Sequence, residues 1–234
     1  MLDGASVLIT GASSGIGRAL ALVLAQREVS LHLLGRNAQA LAETARQARS
    51  WGALAQTYSL ELTDDTALLD FAESFDAPLD VLIHSAGTIT LAPVEEAAIA
   101  DLDAQYRVNL RAPYLLTQKL LPRLERGGGQ IVFVNSGAGL SARGYWSQYA
   151  ATKHALKAFA DALRDELKGR GIRVISVYPG RTATPMQQTV HEQEGRDYDP
   201  ARFVQPEDVA TLTLAALELP ATAEVTDVTL KPTF

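Results

Sequence analysis

The chain has 234 residues, 47% of them hydrophobic and 21% charged, which suits one large globular domain or two small ones. A net charge of −6 excludes a broad basic face for nucleic acid or anionic lipid, and the absence of cysteine excludes a disulfide framework, a thiolate nucleophile and a cysteine-based metal site. No apolar run approaches the ~18 residues of a membrane span, and the stretch Met1–Val7 lacks the basic-then-apolar pattern of a signal peptide, so a soluble, cytoplasmic protein is expected.

Ser6–Thr10 is a β-rich run that ends at Gly11, and a helical pattern starts near Gly15 and carries Leu20 and Leu24. Ser30–Leu34 is a second strand, closed by Gly35-Arg36-Asn37, with Asn37 as N-cap of an Ala-rich helix to about Trp51. A third strand lies near Ala55–Leu60, and Thr63 is the expected N-cap of a helix to about Phe75. Asp80–Ile83 is a fourth strand, followed by His84-Ser85-Ala86-Gly87. One long helix is expected over Asp101–Leu124, ended by Gly127-Gly128-Gly129, before a fifth strand at Gln130–Asn135. The next helix runs from about Ser147 to Lys168, with Leu156, Phe159, Leu163 and Leu167 as its apolar stripe, and Gly169 and Gly171 stop it. Arg173–Tyr178 is a sixth strand, broken by Pro179-Gly180. From Arg181 to Phe203 the chain is polar and shows no period. Pro206 opens a last helix to about Leu219, and Val225–Leu230 reads as a seventh strand.

Strands alternating with helices imply βαβ crossovers. The expected fold is therefore α/β: a Rossmann-like, doubly wound parallel sheet of about seven strands with helices on both faces, in a single domain over residues 1–234.

Thr10-Gly-Ala-Ser-Ser-Gly-Ile-Gly17 sits at the first strand-to-helix junction. Gly11, Gly15 and Gly17 permit a tight turn and close backbone approach, so that the N–H groups around Ser13, Ser14 and Ile16 can face a phosphate. The spacing is G-x-x-x-G-x-G rather than G-x-G-x-x-G. At the end of the second strand an acidic residue would favour NAD. Here Gly35 is followed by Arg36, whose guanidinium can clamp a 2′-phosphate, which points to NADP(H).

Tyr149 and Lys153 are four residues apart, one turn on one helical face. A free tyrosine has a pKa of about 10. A cation at ~4 Å, with an effective dielectric of about 20, stabilises the phenolate by roughly 4 kcal/mol, or about three pKa units, less what burial takes back. The pair therefore predicts a tyrosine that exchanges protons near neutrality. Taken alone, however, a Tyr-x-x-x-Lys occurs by chance and is far more often structural than functional.

With these motifs in order, the chain resembles the short-chain dehydrogenase/reductase family in its single-domain form, over nearly its whole length. Thr10–Gly17 is similar to the family's cofactor loop, and Asn109 in Val108-Asn109-Leu110 to its mid-helix asparagine. Ser136 precedes Tyr149 by thirteen residues, the usual spacing of the catalytic serine and tyrosine, and Tyr149-x-x-x-Lys153 resembles the catalytic pair. Pro179-Gly180-x-x-x-Thr184 resembles the segment that helps hold the nicotinamide end, with Thr182 a further hydroxyl there, and Gln205-Pro-Glu-Asp-Val-Ala210 the helix opening near family C-termini. Ala86 and Gly87 preserve the small pair of Asn-Asn-Ala-Gly, while His84 and Ser85 depart from it and are expected to bond neighbouring backbone. Glu61 stands where the family has an aspartate near the adenine amine.

The resemblance implies a hydride transfer between nicotinamide and a carbonyl or secondary alcohol. Tyr149 would be general acid or base and Ser136 would orient the substrate oxygen. Lys153 would lower the tyrosine pKa and bind ribose hydroxyls, and Asn109 would hold a water linking Lys153 to solvent. A ketone or aldehyde reductase is the first reading. The alternatives are an NADP-dependent dehydrogenase of a hydroxy acid or sugar-like alcohol, with Arg143 or Arg181 meeting a carboxylate, and an NADP(H)-sensing protein without turnover. Leu140, Tyr145, Trp146 and Met186 are expected around the substrate. No histidine pair has metal-ligand spacing. Family members associate through the Tyr149 helix, so a homodimer or homotetramer is expected, with Ala150, Ala158 and Ala162 allowing close helix approach.

Overall fold

The computed structural model describes residues 2–124 and 128–233. Seven parallel strands form one sheet: β1 (Ser6–Thr10), β2 (Ser30–Gly35), β3 (Leu54–Ser59), β4 (Val81–His84), β5 (Gln130–Val134), β6 (Arg173–Pro179) and β7 (Asp227–Leu230). Their order in space is β3-β2-β1-β4-β5-β6-β7. β1, β4 and β5 are buried along their whole length. That is why they read as unbroken apolar runs rather than alternating ones.

The helices are α1 (Gly15–Leu24), α2 (Ala38–Ser50), α3 (Asp65–Ser74), α4 (Ile99–Tyr106), α5 (Ala112–Leu124), α6 (Ser147–Leu167), α7 (Pro185–Glu194) and α8 (Pro206–Leu217). The two-residue period of a strand divides the core. Val7 and Ile9 of β1 join Leu20 and Leu24 of α1, Leu41 of α2 and Leu214 of α8 in one cluster. Leu8, between them, belongs to the opposite cluster with Phe71 of α3, Leu116 of α5 and Leu156 of α6. Each fully buried leucine or phenylalanine contributes about 1.5–3 kcal/mol. The strand order reverses between β1 and β4, which opens a crevice beyond their carboxyl ends.

Several local expectations change. The N-cap of α3 is Asp64, not Thr63: its carboxylate accepts from both Thr66 N and Ala67 N. The long helix expected before Gln130 is in two parts, α4 and α5, joined by a π-helical turn at Arg107–Arg111. The glycine stop proposed at Gly127 lies outside the described residues. The polar stretch after Arg181 contains α7, capped by the Thr184 hydroxyl and ended by Gly195 in the left-handed region, and a 3-10 turn at Pro200–Arg202. Its helicity escaped notice because two of the three residues it buries, Gln187 and His191, are polar. Ala150 is buried on α6, so only Ala158 and Ala162 of the three alanines are exposed. Among the described residues no helix is long and apolar enough to cross a membrane.

Candidate active site

The crevice begins where β1 and β4 end side by side. The Thr10 hydroxyl accepts from Ser85 N and Ala86 N, both at 3.2 Å. Gly11 has φ 71°, and a Cβ there would lie 2.7 Å from Ala86 Cα. A Cβ on Gly17 would lie 2.3 Å from the Gly11 carbonyl oxygen. These glycines thus let the loop fold back on itself and seat α1 against it. The α1 N-cap, Ser14, makes no side-chain capping bond, which leaves the first helical N–H groups to an outside acceptor. Gly15 and Thr184 meet across the loop: a Cβ on Gly15 would sit 3.1 Å from Thr184 Cγ2. Ser13 stands beside the end of β2, its Oγ 3.4 Å from where a Gly35 Cβ would be. Arg36 is exposed there, at 75% for its side chain, and is paired with Glu61 at 3.5 Å. Glu61 also accepts from Thr63 N at 3.3 Å.

β5 and α6 deliver the reacting groups. Ser136 follows β5 and Tyr149 and Lys153 lie one turn apart on the buried face of α6, and all three line a cleft of about 150 Å³. The Ser136 hydroxyl accepts from Ala138 N at 3.1 Å and turns its own proton toward Tyr149. Lys153 Nζ donates to the Val134 carbonyl at 3.2 Å and lies 5.8 Å from the Tyr149 ring centre. Burial pushes Tyr149 up to about 12, against a smaller lowering by the Ser136 hydrogen bond. Burial lowers Lys153 to about 8. The expectation of a phenol poised near neutrality is thus not met by the chain alone: desolvation of the phenolate outweighs the nearby ammonium, which is turned toward a carbonyl.

Asn109 lies in the π-helical turn, fully buried and behind the cleft. Its side chain accepts from Thr88 N at 2.8 Å and donates to Thr88 O at 2.9 Å and to the Thr152 hydroxyl at 3.1 Å. Both N–H donors are used, so the side chain bolts the Gly87–Thr88 segment to α6. A Cβ on Gly87 would lie 3.4 Å from Asn109 Oδ1 and 3.9 Å from Lys153 Nζ.

His84 is buried and bonds the Thr117 hydroxyl at 2.9 Å, a side chain of α5 rather than the neighbouring backbone that was expected. Its ring stacks on Phe133, and burial lowers its pKa to about 3. Ser85 lines the cleft, and its hydroxyl oxygen is buried with no partner among the described residues.

Pro179 and Gly180 pass under the cleft, where Gly180 N donates to Leu230 O at 2.8 Å and ties β6 to β7. Thr182 spends its hydroxyl on Gly180 O, and Thr184 caps α7 through Gln187 N at 3.2 Å. Trp146 and Met186 line the cleft as expected, whereas Leu140 is exposed and is not among the residues that line it. Ile89 and Val190 are wall residues that the sequence did not disclose, since Val190 sits on the unrecognised α7. Arg181 donates to both carboxylate oxygens of Glu194, at 2.7 and 2.8 Å, and so fastens the end of α7 to the segment after β6.

A family profile described as short chain dehydrogenase matches residues 5–195. An uncharacterized short-chain type dehydrogenase/reductase of Sinorhizobium fredii is 36% identical over 231 residues, which covers 97% of this chain and 90% of that protein. A ketoacyl reductase of a Nostoc species is 35% identical over 183 residues, 76% of this chain and 64% of that protein. A short chain dehydrogenase of Escherichia coli CFT073, solved with NADPH, superposes with a TM-score of 0.88 at 30% identity, covering 97% of this chain and 96% of that one.

Proposed function

The chain belongs to the short-chain dehydrogenase/reductase family, and from that premise we propose that it is an NADP(H)-dependent reductase of a ketone or aldehyde. It is an oxidoreductase of CH–OH and C=O groups. The observation that carries the finer reading is the convergence of Ser136, Tyr149 and Lys153 on one small cleft beside the glycine loop.

The residues present fit the cofactor. The open N–H groups at Gly15, Ile16 and Gly17 and the close approach of Gly11 to Ala86 and Gly87 form a cradle for pyrophosphate. Ser13 and Arg36 stand together at the end of β2, where a 2′-phosphate would be received, and Glu61 is in reach of the adenine side. The relative from Escherichia coli was solved with NADPH. When bound, NADPH would supply the hydride. Tyr149 would give its proton to the substrate oxygen as negative charge develops there. A phenol that stays protonated at neutral pH suits the role of acid. Ser136 would donate its proton to the same oxygen once substrate is in place. Lys153, buried at the phenol, would provide positive charge as the phenolate forms and would bind the ribose hydroxyls of the cofactor. Asn109 is a positioning residue that holds Gly87 and Thr88 against α6. Pro179, Gly180, Thr182 and Thr184 support the nicotinamide end.

NADPH oxidation followed across a panel of ketones, aldehydes and quinones tests the reading. Tight NADPH binding with no turnover across that panel replaces it with a cofactor-sensing protein. Ala158 and Ala162 leave part of α6 open to a second copy, and we expect a homodimer or homotetramer, to be checked by sedimentation.

A further inference from the structure

A second cavity, of about 560 Å³, adjoins the catalytic cleft and shares Arg143 and Trp146 with it. The inner cleft is too small for more than the reacting end of a medium-sized substrate, and the outer chamber has the size of an ordinary ligand site. The Trp146 ring stands between the two. It meets Tyr149 edge-on at 6.0 Å, and Arg143 stacks over it with the guanidinium carbon 4.6 Å from the ring centre.

Arg143 and Arg196 line this chamber and Arg181 lines the inner cleft; two of the three are already engaged. Arg181 is held by both oxygens of Glu194, and Arg196 lies 3.8 Å from the same carboxylate. Arg143 makes no ion pair or side-chain hydrogen bond among the described residues, so its donor fork is free at the junction of the two cavities. Glu96, farther along the chamber, is the acidic residue there that no arginine neutralises.

The backbone that presents Arg143 is held under strain. Trp146 N donates to Arg143 O at 3.3 Å, closing a four-residue turn whose third residue, Tyr145, has φ 68°. A turn of this kind normally takes glycine at that place. Here glycine is one residue earlier, at Gly144, and a tyrosine that is 68% exposed occupies the costly conformation. Ala92 N donates to Tyr145 O at 3.2 Å and holds the turn from the other side. The turn places the Tyr145 ring in the chamber wall, next to the guanidinium stacked on Trp146.

We propose that the outer chamber binds the tail of the substrate and that Arg143 receives an anionic group at its end, so that the substrate class is an oxo compound carrying a remote carboxylate or phosphate. Arg143, not Arg181, is the specificity-determining cation. This rests on the carbonyl-reductase reading given above.

The test uses a series of oxo acids of roughly five to nine carbons, their methyl esters and the matching ω-phosphates, with the native protein, Arg143→Gln and Arg143→Lys. The native enzyme is expected to show a KM at least about tenfold lower for the best acid or phosphate than for the matching neutral ester. Arg143→Gln should raise the KM of the anion by about tenfold or more and that of the ester by far less, and Arg143→Lys should restore part of the loss. Preference for acid over phosphate, or the reverse, identifies the anion. Equal KM for anion and ester in the native enzyme, or an equal rise for both in Arg143→Gln, overturns the proposal. If no compound in the series is turned over, the reductase reading fails separately. Calorimetry of the NADP-loaded protein then decides: anion binding lost in Arg143→Gln upholds the site, and anion and ester binding alike, or neither binding, overturns it.

Discussion

Lys153 aims its ammonium at the Val134 carbonyl, 3.2 Å away, while the ring of Tyr149 lies 5.8 Å from it. The two residues share a helical face but not a hydrogen bond. Burial drives their pKa values apart: the phenol rises to about 12 and the amine falls to about 8. Without cofactor, therefore, Tyr149 should give no tyrosinate signal at pH 9. The ultraviolet difference spectrum between the native protein and Tyr149→Phe measures this. A tyrosinate contribution from Tyr149 at pH 8 or 9 would show that the ammonium acts on the phenol despite its orientation.

Removing the phenolic oxygen takes away the proton donor and little else, because the ring keeps its contacts with Trp146. Tyr149→Phe should fold, bind NADPH within about twofold of the native affinity, and lose about 10²–10⁴ in kcat. NADPH fluorescence and steady-state rates check both halves. Retained ketone reduction would remove Tyr149 from the chemistry.

Arg36 is exposed and only loosely tied to Glu61, so it can turn to a phosphate at small cost. Arg36→Ala should weaken NADPH binding by about tenfold, the scale of an exposed charge-assisted contact, and leave NADH unchanged. The loss should shrink as salt is raised. Equal weakening of both cofactors would place Arg36 in the loop's structure instead.

His84 predicts an acid sensitivity. Its folded pKa, about 3, lies below the usual value of 6.5. Below pH about 6.5 the unfolded chain binds a proton that the folded chain cannot, so the stability is complete above that pH and falls as pH drops toward 3. The slope is about 1.4 kcal/mol per pH unit, or roughly 2 kcal/mol by pH 5. Urea unfolding at pH 7 and pH 5 should show this fall in the native protein and a smaller one in His84→Asn. Identical falls would assign the sensitivity to other groups.

The alternation of strand and helix was legible because each buried strand is an apolar run and each crossover helix keeps an apolar stripe. Ser136, Tyr149 and Lys153 were legible as a set because their spacing is fixed by β5 and α6. What sequence could not give was direction and burial. Thr63 and Asp64 are adjacent capping residues, and only the backbone's course shows that the Asp64 carboxylate meets two N–H groups. The helix α7 was hidden because Gln187 and His191 bond each other inside the protein, at 3.0 Å, where apolar residues are usually expected. The π-helical turn at Asn109 has no sequence period of its own. Arg143 and Arg181 looked interchangeable until Glu194 was seen to occupy one of them.

The wall of the cleft made by Met186 and Val190 is pinned at one end by the Thr184 cap and at the other by Arg181 and Glu194. Loosening this wall would first require parting a half-hidden pair that salt screens poorly. Glu194 thus serves both spaces at once: it fastens the wall of the inner cleft and lines the outer chamber beside it.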